Sequence, residues 1–379
     1  MRQFEFSMKR HHHFRVYFLL TILLVTGFVV LLREHRPSFL RPGLRLNAYV
    51  STDDGSVTVM DLVRLRVETR VAVGPQISGM VEHPTRAEVW GVSTSGGYVW
   101  ILDAKTNQIA ARIPVGASPY ALAFSADGAR AYVTAAGGET LLVIDCATRQ
   151  ITSRVRVTGE PVLVRPAPDG KTLLLLNRRS GTLGIHDAQS LALLATIPVT
   201  AHPAAVAVLP DSSMAFVMSR ENRQLSVVDL RQRVLLSHLQ LAGKPTDMIL
   251  KPDGGELYVI SPEAHGLEAI NTWTHEVGDY VLLGSAPTRG FLSADASLLY
   301  VSDSAAGRIT PVDIFNRRVS LPVQAGETPS VCRFDPGEAL LLAANEGSND
   351  LAVIRVRTNS LLTIIPAGGR PGEIAVKLF

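Results

Sequence analysis

Apolar positions in this chain fall in short alternating runs rather than at helical spacing. Within residues 119–159, "PYALAFS" alternates apolar and small residues and ends at the turn "ADG". "ARAYVT", the loop "AAGGE", "TLLVID", the turn "CATRQ" and "ITSRVRV" follow in order. Runs of this kind, bounded by Gly, Asp and Pro clusters, predict four short strands and no helix. The turns at Pro168-Asp169-Gly170 and Pro252-Asp253-Gly254 suit type I hairpins. Pro presets φ, Asp binds its own backbone and Gly tolerates positive φ.

The four-strand pattern recurs. An aromatic or apolar position opens a strand at Tyr49, Trp90, Tyr132, Leu174, Phe216, Tyr258, Tyr300 and Leu342, the first step being 41 residues and every later one 42. Proline recurs at 119, 161, 203, 245, 287, 329 and 371, with Ile77 in that column of the earliest unit. A third column ends a strand at Asp61, Asp103, Asp145, Asp187, Asp229, Asn271, Asp313 and Arg355. A four-stranded sheet apolar on both faces cannot bury itself alone, whereas radial stacking hides both faces. The expected fold class is therefore all-β, an eight-bladed β-propeller of four-stranded blades over residues 47–379, in repeats of about 42 residues. The first unit, Ala48 to Gly74, holds only three strands, and the last stretch, "GEIAVKLF", is an innermost strand with no successors. Set beside "NAYVST" (47–52), it is expected to complete the first blade and close the ring.

The segments "AYVTAAGGETLLVID" (131–145), "LYVISPEAHGLEAIN" (257–271) and "LYVSDSAAGRITPVD" (299–313) resemble the YVTN family of β-propeller repeats. That family's blade runs from a Pro-started strand through PDG and YVTN to a strand ending in Asp. Its fourth YVTN position is occupied here by Thr52, Ser93, Ala135, Asn177, Ser219, Ser261, Asp303 and Asn345. The resemblance covers residues 47–379 and implies a surface-layer-like, periplasmic or otherwise extracytoplasmic propeller. The family's recurring residues are structural, so no site is implied. Eight blades also resemble the cytochrome d1 type, which implies an axial histidine beneath a haem.

Charge divides the chain unevenly. Residues 1–45 hold eight Lys/Arg and two Asp/Glu, a net of +6, and the remainder holds 29 basic and 32 acidic residues, a net of −3. A mildly acidic globule lacks the basic face that nucleic acid requires, so no nucleic-acid partner is expected. "VYFLLTILLVTGFVVLL" (16–32) is an uncharged apolar run of 17 residues, long enough to span a bilayer. No small-x-small cleavage site follows it, so it is read as an uncleaved transmembrane anchor between a basic tail (1–15) and a linker (33–46). Arg2, Lys9, Arg10 and Arg15 precede the anchor and Arg33, Arg36, Arg41 and Arg45 follow it, a tie of four each under the positive-inside rule. The reading adopted leaves the short tail inside and the propeller outside, in a periplasmic or extracytoplasmic setting. The 14 linker residues reach at most roughly 46 Å, so the propeller stays near the membrane.

Familiar catalytic signatures are missing from the sequence. It has no CxxCH, GxSxG, HExxH, Walker or EF-hand spacing, and no cofactor or metal is expected. Cys146 and Cys332 fall in blades 3 and 8, too far apart for a disulfide, and are read as free buried thiols. The Asp column, one per blade, cannot converge on one site and is read as a backbone acceptor in each outer turn.

Residues that break the columns are the informative ones. Beside the Pro column stand Glu160, His202, Lys244 and Arg370, and two positions after it stand Asp247, Arg289 and Glu373. These seven are expected to ring one mouth of the axial channel as a candidate ligand-binding site. The competing reading makes Asp247 and Arg289 an ion pair that merely hydrates the channel. Arg165 and Arg333 share a further column four blades apart and are expected to line the channel. The expected function is a non-enzymatic binding scaffold, tethered to the membrane, whose partner is an envelope protein or a small polar ligand. The alternative is an enzyme, of lactonase type using Glu160, His202 and Glu373, or a haem d1-type redox protein using His202.

Overall fold

The computed structural model describes residues 45–284 and 286–379. The tail 1–15, the expected anchor 16–32 and linker positions 33–44 lie outside the described residues. Among the described residues no helix is long and apolar enough to cross a membrane.

Eight antiparallel sheets stack as the blades of a propeller. Blade 1 pairs Pro371–Leu378 with Leu46–Thr52, which continues through Ser56–Asp61 to Arg66–Ala72. Its register sets Tyr49 against Ala375 and Asn47 against Lys377, so the two ends of the propeller sequence share one sheet and close the ring. The other innermost strands are Ile77–Glu82, Pro119–Phe124, Pro161–Pro166, Pro203–Val208, Asp247–Leu250, Pro287–Leu292 and Pro329–Phe334, for blades 2 to 8 in order. Each packs against the next around the axis.

Burial follows from this stacking. The two middle strands of a blade are covered on both faces and read as continuous apolar runs, as in Thr172–Asn177 (TLLLLN). An outermost strand has a wet side and alternates, as in Gln150–Arg156 (QITSRVR). The core lies between blades. Trp90 and Val92 of blade 2, for example, pack on Leu122, Val133 and Ile144 of blade 3. Blade 7 departs from the pattern, because its outer strand is split into Arg318–Val319 and Val323–Gln324, both paired with Arg308–Asp313.

The repeated aspartates act as backbone acceptors. Asp103 Oδ1 accepts the N–H groups of Lys105 (2.8 Å) and Thr106 (3.0 Å), and Asp187 Oδ1 those of Gln189 (3.0 Å) and Ser190 (2.7 Å). Asn271 does the same for Trp273 and Thr274. Arg355 cannot accept, and there a short 3-10 turn, Val356–Thr358, replaces the motif.

This chain path gives the propeller two distinct faces. The chain enters each innermost strand at the Pro column on one side, here called the entry face. The PDG turns and the Asp turns lie on the other, here called the turn face.

Candidate functional site

Four of the expected mouth residues sit in the entry-face loops, and each has a polar partner there. Glu160 Oε1 lies 3.8 Å from Arg178 Nη1, and His202 Nδ1 lies 2.5 Å from Glu221 Oε2. The Lys244 amide donates to Glu263 Oε2 at 3.1 Å, and its ammonium lies 4.0 Å from Glu263 Oε1. Arg370 donates to Glu346 Oε2 from Nε at 2.9 Å, while its amide donates to Asp53 Oδ1 at 3.0 Å. Arg178 also lies over the Tyr120 ring, 5.3 Å from its centroid. These contacts form a rim of solvent-exposed pairs, each of small energetic value. Glu160 and His202 both have left-handed backbone (φ 64 and 49), which fixes how each loop enters its strand.

Deeper residues are placed by a local irregularity. In most blades the ladder slips between the Pro column and the position two residues on, as at Pro161/Leu163 and Pro287/Arg289. The bulge leaves one residue unpaired and turns the following side chains toward the axis and the next blade. Asp247 Oδ2 accepts the Gly290 N–H of blade 7 at 3.1 Å, and Arg333 Nε donates to the Ile374 carbonyl of blade 1 at 3.2 Å. The Glu373 amide donates to Ser51 Oγ at 2.8 Å. Burial pushes the Asp247 carboxyl above the usual carboxylate range, while the Gly290 N–H and the Arg289 charge act the other way.

Arg289 and Asp247 do not form an ion pair or a hydrogen bond with each other. The side chains of Arg289 and Arg165 make no hydrogen bond or ion pair among the described residues, although the Arg289 charge acts on Asp247. Arg165 is exposed to solvent, yet burial among protein atoms holds its guanidinium below the usual range. Those two facts agree for a side chain in a wet channel enclosed by protein.

Arg165 also lines a cavity of about 820 Å³ that opens on the turn face between blades 2, 3 and 4. Val81, Leu122, Phe124 and Leu163 give it apolar walls, and two acids, Glu82 and Asp127, also line it. Glu82 Oε2 is buried with no hydrogen-bond partner among the described residues. Beside it, Lys377 Nζ donates to the His83 carbonyl. His83 Nδ1 accepts the amides of Thr85 (3.2 Å) and Arg86 (3.1 Å), and burial lowers the ring's pKa below the usual imidazole range. No histidine lines the cavity.

The expected site residues are thus divided between an ion-paired rim and a channel interior. Glu160, His202 and Glu373, in blades 4, 5 and 1, each hold separate partners. Among the described residues no group of three or more His, Cys, Asp or Glu could hold a metal. Sequence reasoning passed over Glu82 and the cavity. The signal was present, since Glu82 stands in a column otherwise filled by Phe124, Pro166, Val208, Leu250, Leu292, Phe334 and Val376.

Comparison with protein-family models and with curated proteins gives no match. Solved structures do match, those named here at low identity. The dihydro-heme d1 dehydrogenase NirN, in complex with DHE, aligns with a TM-score of 0.76 at 15% identity over 90% of this chain and 77% of its own. Apo AztD from Citrobacter koseri aligns with a TM-score of 0.69 at 12% identity over 88% and 98%. Hydrazine synthase from Kuenenia stuttgartiensis aligns with a TM-score of 0.59 at 20% identity over 75% and 97%. At such identities the likeness is one of fold alone.

Proposed function

We propose that this chain is a membrane-tethered propeller of the YVTN type, working outside the cytoplasm as a non-enzymatic module that binds a small anionic ligand in its axial channel. The unpartnered Arg165 guanidinium at the apolar cavity carries this reading. Arg165 makes no hydrogen bond or ion pair among the described residues, so its guanidinium fork is open to a ligand carboxylate or phosphate through charge-assisted hydrogen bonds. Arg165, Arg289 and Arg333 set three cations against Asp247 and Glu373 in the innermost strands. The apolar walls suit a ligand with a hydrocarbon body behind its anionic head.

Sodium octanoate is a suitable probe, with octylamine as its cationic counterpart. Octanoate should raise the thermal midpoint, and a hundredfold excess over Kd corresponds to about 2.7 kcal/mol of stabilisation. Arg165→Met should abolish the shift. Equal shifts from octanoate and octylamine, or an undiminished shift in the variant, would sink the reading.

The enzymatic readings find less support. A haem d1-type site needs a histidine at the cofactor, but His202 is paired with Glu221 on the entry face while the cavity opens on the turn face. The residues present do not fit that group. The acids and histidine of a lactonase-type centre do not converge.

A further inference from the structure

The position two residues after the Asp column is the outermost point of each turn-face loop. It is occupied by Val63, Lys105, Ala147, Gln189, Arg231, Trp273, Phe315 and Arg357. Five of these are polar or small, while Trp273 and Phe315 are 69% and 90% exposed and Val63 is 51% exposed. They belong to blades 6, 7 and 1, and Arg357 of blade 8 lies between Phe315 and Val63 in the ring. One sector of the turn face therefore carries a Trp, a Phe and a Val together with cations, Arg64 and Arg357 among them. At the entry-face ends the most exposed large apolar side chain among the described residues is Leu282 (63%), with no exposed aromatic ring approaching Trp273 or Phe315, and Leu321 (88%) lies in the break of blade 7's outer strand.

The first described residue lies in the same sector. The Arg45 amide donates to the Phe379 carbonyl at 2.8 Å, and the Phe379 amide donates back to the Arg45 carbonyl at 3.0 Å. The Leu62 amide, in the outer turn of blade 1, donates to the Leu46 carbonyl at 2.9 Å. Arg45, the first described residue, therefore lies at the turn face, near the outer turn that carries Val63. Only the 12 residues 33–44 separate it from the apolar run 16–32, a reach of at most roughly 40 Å.

We propose that the turn-face sector formed by Trp273, Phe315 and Val63 docks on the surface of the bilayer that holds residues 16–32. The inference rests on the membrane tether of the proposed function. Aromatic rings with adjacent cations are the side chains that settle at the headgroup level, where an indole can bury its ring and keep its N–H wet. A tether that ends at this face raises the local concentration of bilayer against it, so weak insertion suffices. In this pose the cavity mouth, on the same face, is turned toward the lipid.

The protein carries its own reporter. Of its three tryptophans, Trp90 and Trp100 are fully buried and Trp273 alone is exposed. The full chain would be reconstituted into phosphatidylcholine–phosphatidylglycerol vesicles, with and without brominated acyl chains. Docking predicts a blue-shifted emission relative to the chain in detergent, quenching by the brominated lipid and protection from acrylamide. Each of these should be lost in Trp273→Ala. Phe315→Ser, which leaves the reporter in place, should reduce the bromine quenching. If the chain fails to co-float with vesicles, the tether and the docking both fall. If it co-floats but Trp273 is not quenched by bromine and stays open to acrylamide, the tether stands and the docking is overturned, including the case where a protein rather than lipid covers this sector.

Discussion

The Tyr300 hydroxyl of blade 7 donates to Asn359 Oδ1 of blade 8 at 2.8 Å, joining two repeat columns across a blade interface. The acceptor is in left-handed conformation (φ 46), four residues after the Asp column. Equivalent positions Leu65, Asn107, Arg149, Leu191, Arg233, His275 and Arg317 are left-handed too. Several of them meet the aromatic position of the preceding blade. Tyr49 donates to Asn107 Oδ1 at 3.3 Å, His275 stands edge-on to Phe216 at 6.3 Å, and Arg317 Nη1 donates to the Tyr258 hydroxyl at 3.4 Å.

Tyr300→Phe keeps the ring but removes the donor, leaving Asn359 short of a partner. The expected cost is about 1 kcal/mol of unfolding free energy, the usual net worth of one hydrogen bond. Urea denaturation of the two proteins measures it. An unchanged midpoint would show that the latch is ornamental.

How far the sequence carried the architecture follows from what repeats. Stacking blades must share a spacing, so Tyr49 to Leu342 kept register and ring closure at Tyr49–Ala375 was foreseeable. The partners of Glu160, His202, Lys244 and Arg370 were not legible. They come from the loop after the second strand, in two adjacent columns, Arg178 with Glu346 and Glu221 with Glu263, that carry no recurring residue type. The cavity was missed for a different reason. It depends on small Ala121 and Ala123 beside long Arg165, a difference in volume between blades rather than a break in polarity.

The Asp turns should set the acid limit of the fold. Backbone and side-chain donors of Thr148, Ser190 and Asn316 hold Asp145, Asp187 and Asp313 below the usual carboxylate range. A depressed folded pKa gives stability that is present above the unfolded value and lost as pH falls through the folded one. Asn keeps the acceptor without titrating, as Asn271 already does. The triple variant Asp145→Asn, Asp187→Asn, Asp313→Asn should therefore unfold at lower pH than the parent in an acid titration followed by circular dichroism. A midpoint moved to higher pH, or not at all, contradicts the assignment.

Both thiols should be silent in the folded protein. Burial pushes Cys146 up to about 12 and raises Cys332 as well. At pH 8 a thiol of that kind is roughly one part in ten thousand thiolate, and thiolate is the reactive form. Titration with a thiol-reactive disulfide should give no fast reaction in buffer and two equivalents in urea. Stoichiometric reaction of the native protein would place one of them at the surface.

Asp247 is where the channel costs the fold stability. Its carboxyl is harder to ionise in the folded chain than in the unfolded one, because burial outweighs the Gly290 N–H and the Arg289 charge. A raised folded pKa means stability that is full at low pH and lost as pH rises through the folded value. Asp247→Asn keeps an oxygen for the Gly290 N–H and removes the charge. It should therefore match the parent in acid and exceed it at neutral pH, with the two thermal midpoints separating as pH climbs above the ordinary carboxylate range. Parallel midpoints across that range would mean that Arg289 already neutralises Asp247. In that case an anion in the channel would also have to compete with Asp247 for Arg289, and the octanoate shift would be smaller at neutral pH than in acid.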